Sequence, residues 1–82
     1  MQQSELRMLL ADCTRLWGSA VRLEAAGDGI ALEGPAGRYT LCPAPAADLP
    51  IRWHLIRPDG RLRPLPSIVA ALTVLRNAMT GA

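Results

Sequence analysis

Few side chains in this chain could act as nucleophile, general base or metal ligand. It contains two cysteines, Cys13 and Cys42, and one histidine, His54. A catalytic cysteine needs a base within hydrogen-bond reach and a group that lowers its pKa. Cys42, His54 and either Asp48 or Asp59 lie on segments that a fold could bring together. A Cys/His enzyme is therefore kept as a remote alternative.

The other patterns that carry chemistry are incomplete. One histidine and two separated cysteines do not supply the four ligands of a structural zinc site. Glu24 and Glu33 could in principle form the carboxylate pair of a glycosidase, but cross-strand surface charges explain them equally well. The turn at 34–37 lacks the Gly-Lys-Ser/Thr of a phosphate loop. We therefore expect no catalytic residue, no metal and no cofactor.

The densest charged feature is an arginine cluster interleaved with Trp53 and His54. Its members are Arg52, Arg57, Arg61 and Arg63. Guanidinium groups bind phosphates and carboxylates bidentately, so this cluster predicts a nucleic-acid-binding patch as the alternative function. The chain has nine basic residues, all arginine, and a net charge of only +2. That bias is typical of GC-rich coding and indicates a bacterial or phage source without requiring a polyanionic partner.

Two segments have the period of amphipathic helices. The first, at about 4–17, carries an apolar stripe that includes Leu6, Leu10 and Leu16, with Ser4 as the predicted N-cap and Gly18 as the stop. The second, at about 67–79, begins at a capping Ser67 and ends at Gly81. In this helix Val69 and Val74 lie off the main apolar stripe.

Between the helices the apolar period is two, which is typical of strands. The predicted strands are at about 20–26, 30–33, 38–42 and 51–57, with a short return strand at 61–63 that Pro64 ends. The proline-rich stretch at 43–50 is predicted to be a connector without sheet or helix, because proline lacks an amide donor and fixes φ.

These elements predict one small domain, 1–82, with a two-layer α+β fold. An antiparallel meander sheet of three to five strands carries the N-terminal and C-terminal helices on one face. The order of elements resembles that of the double-stranded RNA-binding domain. That family has a lysine-rich start to its second helix, whereas Pro66-Ser67-Ile68-Val69 stands at this place here, so the likeness is one of layout.

The period of two also predicts which side chains face outward. With Trp53 and Leu55 in the core, Arg52, His54 and Ile56 point to solvent. Arg61 and Arg63, across the Pro58-Asp59-Gly60 turn, are expected to join them on that outer face.

The sequence therefore predicts a non-catalytic protein-interaction module: an adaptor, a small inhibitor or regulator, or a subunit of a larger complex. Its expected partner is another protein or a second copy of itself. The contacts expected to carry binding are Arg52, Trp53, Ile56, Arg63, Val69 and Val74. The start of the chain has no signal-peptide pattern or membrane span, and two cysteines make no disulfide framework, so we expect a cytoplasmic protein with reduced thiols.

Overall fold

Two helices flank a single five-stranded sheet in the computed structural model, which describes residues 1–81. The elements are α1 (Gln3–Leu16), β1 (Arg22–Ala26), β2 (Gly29–Gly34), β3 (Gly37–Pro43), a 3₁₀ turn (Ala46–Asp48), β4 (Trp53–Ile56), β5 (Leu62–Leu65) and α2 (Ile68–Thr80). The strands are all antiparallel and lie in sequence order. The predicted α+β meander between two helices is confirmed. Ala82, the last residue of the predicted domain, lies outside the described residues.

Both helices pack on the same face of the sheet and share one core. Ile30, Leu41 and Leu55 stand side by side on β2, β3 and β4, and each is at most 1% exposed. Each such side chain contributes about 1.5–3 kcal/mol through burial. The helix residues that cover this row are Leu6 and Leu10 of α1 and Ala71, Leu75 and Met79 of α2.

The helix ends follow capping chemistry, with one difference from the sequence prediction. α1 begins after Gln2, whose backbone N–H donates to the Glu5 carboxylate at 3.0 Å, so the predicted cap at Ser4 is wrong. The cap of α2 is as predicted, because the Ser67 hydroxyl accepts from the N–H of Ala70 at 3.1 Å. Gly81 ends α2 with a φ of 75°.

Two predictions about proline were wrong. Pro64 does not end the last strand: it lies inside β5, which continues to Leu65. β5 is an edge strand, where a residue without an N–H costs no ladder hydrogen bond if that position faces outward. In the connector at 43–50, Pro43 is the last residue of β3 and Ala46–Asp48 forms the 3₁₀ turn.

The apolar stripe of α1 is narrower than its sequence period suggests. Leu6, Leu10 and Thr14 are buried at successive four-residue steps. Leu16, predicted to lie on this stripe, is 84% exposed. It lies at the end of the helix, beside Trp17, Arg76 and Thr80.

Gly29 offers a test of the packing between β2 and β3. A Cβ at this position would overlap the Leu41 carbonyl oxygen and lie 2.7 Å from the Cys42 Cβ, so backbone would have to move. We expect Gly29→Ala to lower the free energy of unfolding by about 2 kcal/mol in urea denaturation, as overpacking does. Gly34→Ala is the matched control on the same strand: its Cβ meets the flexible Met79 Sδ at 2.7 Å, and we expect a loss below about 1 kcal/mol. Equal losses for the two variants would contradict the close approach at Gly29.

Candidate functional site: the open face of the sheet

Among the described residues, no helix packs on the face of the sheet opposite α1 and α2, and the connector reaches this open face beside His54. Because side chains alternate between faces, the strand register arranges the side chains of this open face in three rows across the sheet. The charged row is Arg22, Glu33 and Arg38; the central row is Glu24, Ala31, Thr40, Ile56 and Leu62; the third row is Ala26, Gly29, Cys42, His54 and Pro64.

The charged part of the open face is neutralised internally. Arg22 Nη2 lies 3.1 Å from Glu33 Oε2, and Arg38 Nη1 lies 3.0 Å from Glu33 Oε1 while also pairing with Glu24. The hydrogen bond and charge of Arg38 lower the pKa of Glu24. The general acid of a glycosidase needs a raised pKa instead, so Glu24 does not fit that role. The arrangement makes a surface of two positive and two negative groups with no net charge.

Cys42, His54 and Asp48 come together in the third row. Cys42 and His54 are direct cross-strand partners on β3 and β4. The 3₁₀ turn of the connector places Asp48 Oδ2 3.2 Å from His54 Nε2. Asp59, the other candidate acid, lies in the β4–β5 turn, where it accepts from the Arg61 N–H.

The thiol in this cluster is not activated. Cys42 Sγ lies 3.6 Å from the backbone carbonyl oxygen of His54, to which it donates. Burial, and secondarily the negative charge of Asp28, raise the pKa of Cys42. A nucleophilic cysteine requires the opposite shift. The thiol is therefore protonated at neutral pH.

Ile56 and Leu62 form the apolar part of the open face. They are cross-strand partners on β4 and β5. Leu62 is 51% exposed and Ile56 is half-buried. Directly opposed residues of an antiparallel pair have Cβ atoms about 5 Å apart, so these two side chains make one continuous aliphatic surface.

The arginine cluster does not gather on the open face, which corrects the sequence expectation. Arg63 is paired with Leu55 and so shares the helix side of the sheet, while Leu62 and Pro64 take the outward positions. Leu65, buried and two residues beyond Arg63, was the sequence signal for this register, because residues two apart share a face. Leu62 and Pro64, which this register places on the open face, were not among the predicted site residues.

The remaining arginines of the cluster are also dispersed. Arg52 precedes β4 and Arg57 follows it. Five residues of extended chain separate them by about 17 Å. Arg61 lies in the turn near Asp59, with 3.8 Å between Arg61 Nε and Asp59 Oδ2.

The predicted partner contacts are likewise split over different surfaces. Trp53 is only 8% exposed and belongs to the core. Val69 is 69% exposed on α2, whereas Val74 is half-buried against the core. Ile56 lies on the opposite side of the sheet. The structure therefore does not bring Arg52, Trp53, Ile56, Arg63, Val69 and Val74 together on one surface.

Both edges of the sheet are partly blocked against pairing with another strand. The Arg57 N–H donates to the Arg61 carbonyl at 2.9 Å, so these two residues are a hydrogen-bonded pair of the antiparallel ladder. Hydrogen-bonded pairs alternate with pairs that make no hydrogen bond to each other, and Leu62 and Pro64 belong to the second kind. Their backbone groups therefore point away from β4. Pro64 has no N–H to offer at this outer edge. At the other edge, Arg7 Nη2 donates to the Leu23 carbonyl of β1 at 3.3 Å. The open face is thus more available to a partner than either edge.

Comparison with known proteins gives no assignment for this arrangement. No protein-family model matches the chain, and no curated protein or solved structure is similar enough to count as a match. Among residues 1–81, no helix is both long and apolar enough to cross a membrane. No group of three or more His, Cys, Asp or Glu side chains in this range could hold a metal ion. The function is therefore argued from the surface itself.

The reactivity of Cys42 tests whether its cluster performs chemistry. In a Cys13→Ser background, we expect alkylation to follow a pKa above the ordinary value of 9.0, because burial disfavours the thiolate. The rate at pH 7 should be lower than that of a free cysteine. Adding Asp28→Asn should lower the pKa of Cys42, because this substitution removes the negative charge near the thiol. If Cys42 were already a thiolate at pH 7, this account would be contradicted and a Cys/His enzyme would be favoured.

Proposed function

We propose that this chain is a non-catalytic protein-interaction module that binds its partner through the open face. It serves as an adaptor, a small inhibitor or regulator, or a subunit of a larger complex. The observation that carries the proposal is that both helices cover one side of the sheet and leave Ile56 and Leu62 uncovered on the other. A rigid sheet presents these side chains in a fixed arrangement, which lowers the ordering cost of binding.

The helix layer is a weaker candidate for the same role. It also exposes apolar side chains, with Met8 and Val69 each 69% exposed and Leu16 84% exposed. These belong to two different helices, and isolated exposed aliphatics are normal on any protein. Ile56 and Leu62, in contrast, are adjacent partners in one ladder.

A nucleic-acid-binding function is less well supported. Phosphate binding needs arginines that converge on one groove or stripe. Arg22 and Arg38 are neutralised by glutamates, and Arg52 and Arg57 lie at opposite ends of β4. Cys13 and Cys42 form no disulfide, which suits a reducing compartment, and we propose the bacterial cytoplasm.

Paired capture experiments with matched variants test the proposal. The tagged wild-type chain, Leu62→Glu and Val69→Glu are each incubated with nuclease-treated lysate of the native host. Both substitutions place the same charge on an exposed aliphatic residue, one on the open face and one on α2. We expect a stoichiometric protein partner with the wild type and Val69→Glu, and at least a tenfold loss of it with Leu62→Glu, because a carboxylate opposed to apolar surface is costly to desolvate.

Two results would contradict this assignment. Loss of the partner with Val69→Glu, but not with Leu62→Glu, would place binding on the helix layer. Partners that disappear on nuclease treatment, with binding that weakens steeply as salt rises, would favour the nucleic-acid alternative.

A further inference from the structure

We propose that a pocket at the end of the sheet where both helices begin binds an organic carboxylate that carries an apolar group. The pocket is separate from the open face and adds a second binding site to the proposed function. Three observations support this ligand: a buried indole N–H without an acceptor, a cationic side chain without an internal carboxylate, and apolar walls.

The pocket lies between the last residue of β3, the first residue of β4 and the start of α2. Its volume is about 430 Å³, which is within the range of small-molecule sites. Its polar lining consists of Arg52, Ser67 and the indole of Trp53, and its apolar walls are Met1, Pro43, Pro66 and Ile68.

The indole N–H of Trp53 is the donor that points to a ligand. Trp53 is only 8% exposed, yet its N–H has no acceptor among the described residues. In this part of the chain every fully buried side-chain nitrogen and oxygen has a hydrogen-bond partner, so the unpartnered N–H must reach solvent. Trp53 lines the pocket, which provides that opening. Buried indole N–H groups usually have an acceptor, and here the pocket has to supply it.

Arg52 and the start of α2 add positive charge to the same place. Arg52 is exposed and forms no ion pair within residues 1–81, where the acidic partners belong to other basic side chains. Its backbone is fixed, because its N–H donates to the Leu65 carbonyl at 3.0 Å and its carbonyl accepts from the Ala44 N–H at 2.9 Å.

The first turn of α2 carries no acidic side chain to neutralise the positive end of its dipole. The N–H groups of Ile68 and Val69 have no acceptor among the described residues. Helix N-termini of this kind favour an anion. The pocket thus combines a guanidinium, an indole N–H and a helix N-terminus around one position.

The composition of the pocket favours a carboxylate over a phosphate. Arg52 is the one cationic side chain among the described lining residues, and a guanidinium matches a singly charged carboxylate in a bidentate pair. Contact of Pro43, Pro66 and Ile68 with an apolar group of the ligand removes apolar surface from water. A small carboxylic acid and the C-terminal residue of a peptide both have this chemistry.

Nitrogen–proton correlation spectra of the isotope-labelled protein test this site. The chain has two tryptophans, and Trp53→Phe assigns their two indole N–H resonances. We expect hexanoate and N-acetylleucine to shift the Trp53 indole and the amides of Ile68 and Val69 saturably, with dissociation constants of about 1 mM or weaker, as is usual for ligands of few atoms. The indole of Trp17, at the other end of α1, should not shift.

The choice of probe separates the two sources of the carboxylate. N-acetylleucine amide, which lacks the charge, should bind about tenfold more weakly than N-acetylleucine, because the charge-assisted pair with Arg52 is lost. Tighter binding of N-acetylleucine than of hexanoate supports a peptide C-terminus as the ligand, and the reverse order supports a small acid.

Matched substitutions test the role of Arg52. Arg52→Gln should weaken binding of N-acetylleucine by about fivefold or more, whereas Arg57→Gln, at the other end of β4, should change it by less than about twofold. Leu62→Glu, on the open face, should likewise leave this binding unchanged. Arg52 is exposed, so its substitution leaves the core intact.

Several results would overturn the carboxylate site. These are equal binding of N-acetylleucine and its amide, inorganic phosphate that binds as tightly as the carboxylates, similar shifts of both indole resonances, and an Arg52→Gln variant with unchanged affinity. None of them bears on partner capture through Ile56 and Leu62, so the proposed function stands or falls separately.

Discussion

The register between β2, β3 and β4 is the constraint on which the rest of the structure depends. It aligns Ile30, Leu41 and Leu55 in one row beneath the two helices. Because side chains alternate along a strand, a slip of one residue would move this row to the opposite face. Fixing the core row therefore also fixes which side chains of these strands lie on the open face, including Ile56 and the meeting of Cys42 with His54.

This coupling explains what could be predicted from the sequence. The helices and the meander follow from apolar periods and turn residues, and the placement of Trp53 and Leu55 in the core followed from alternation within one strand. Errors arose where alternation had to be carried across a turn. Predicting which face of the sheet Arg63 occupies requires knowing how the alternation of β5 aligns with that of β4. Leu65 determines this alignment, because its burial places Arg63, two residues earlier, on the helix side. An isolated proline such as Pro64 does not reveal whether its missing N–H faces a neighbouring strand or the open edge, so the sequence predicts an end where the strand continues.

The candidate site shows the same limit. The sequence offered Asp48 and Asp59 equally as acids near His54. The choice depends on the connector, whose 3₁₀ turn and hydrogen bond from the Ile51 N–H to the Asp48 carbonyl bring Asp48 to the face. Proximity alone did not create a catalytic group, since burial and Asp28 raise the pKa of the thiol beside it. What the geometry offers is a rigid, neutral, partly aliphatic surface, and surfaces of this kind bind proteins by shape and burial more than by charge.

Solvent accessibility of the methyl groups, measured with a soluble paramagnetic probe, tests the account most directly. One methyl-labelled sample reports both faces, with Ile56 and Leu62 on the sheet and Met8, Leu16 and Val69 on the helices. When a saturating amount of the captured protein partner is added, we expect the probe's effect on Ile56 and Leu62 to fall sharply. Its effect on the helix methyl groups should stay constant. Equal access to Ile56 and Leu62 with and without the partner, or protection confined to Met8, Leu16 and Val69, would contradict binding through the open face.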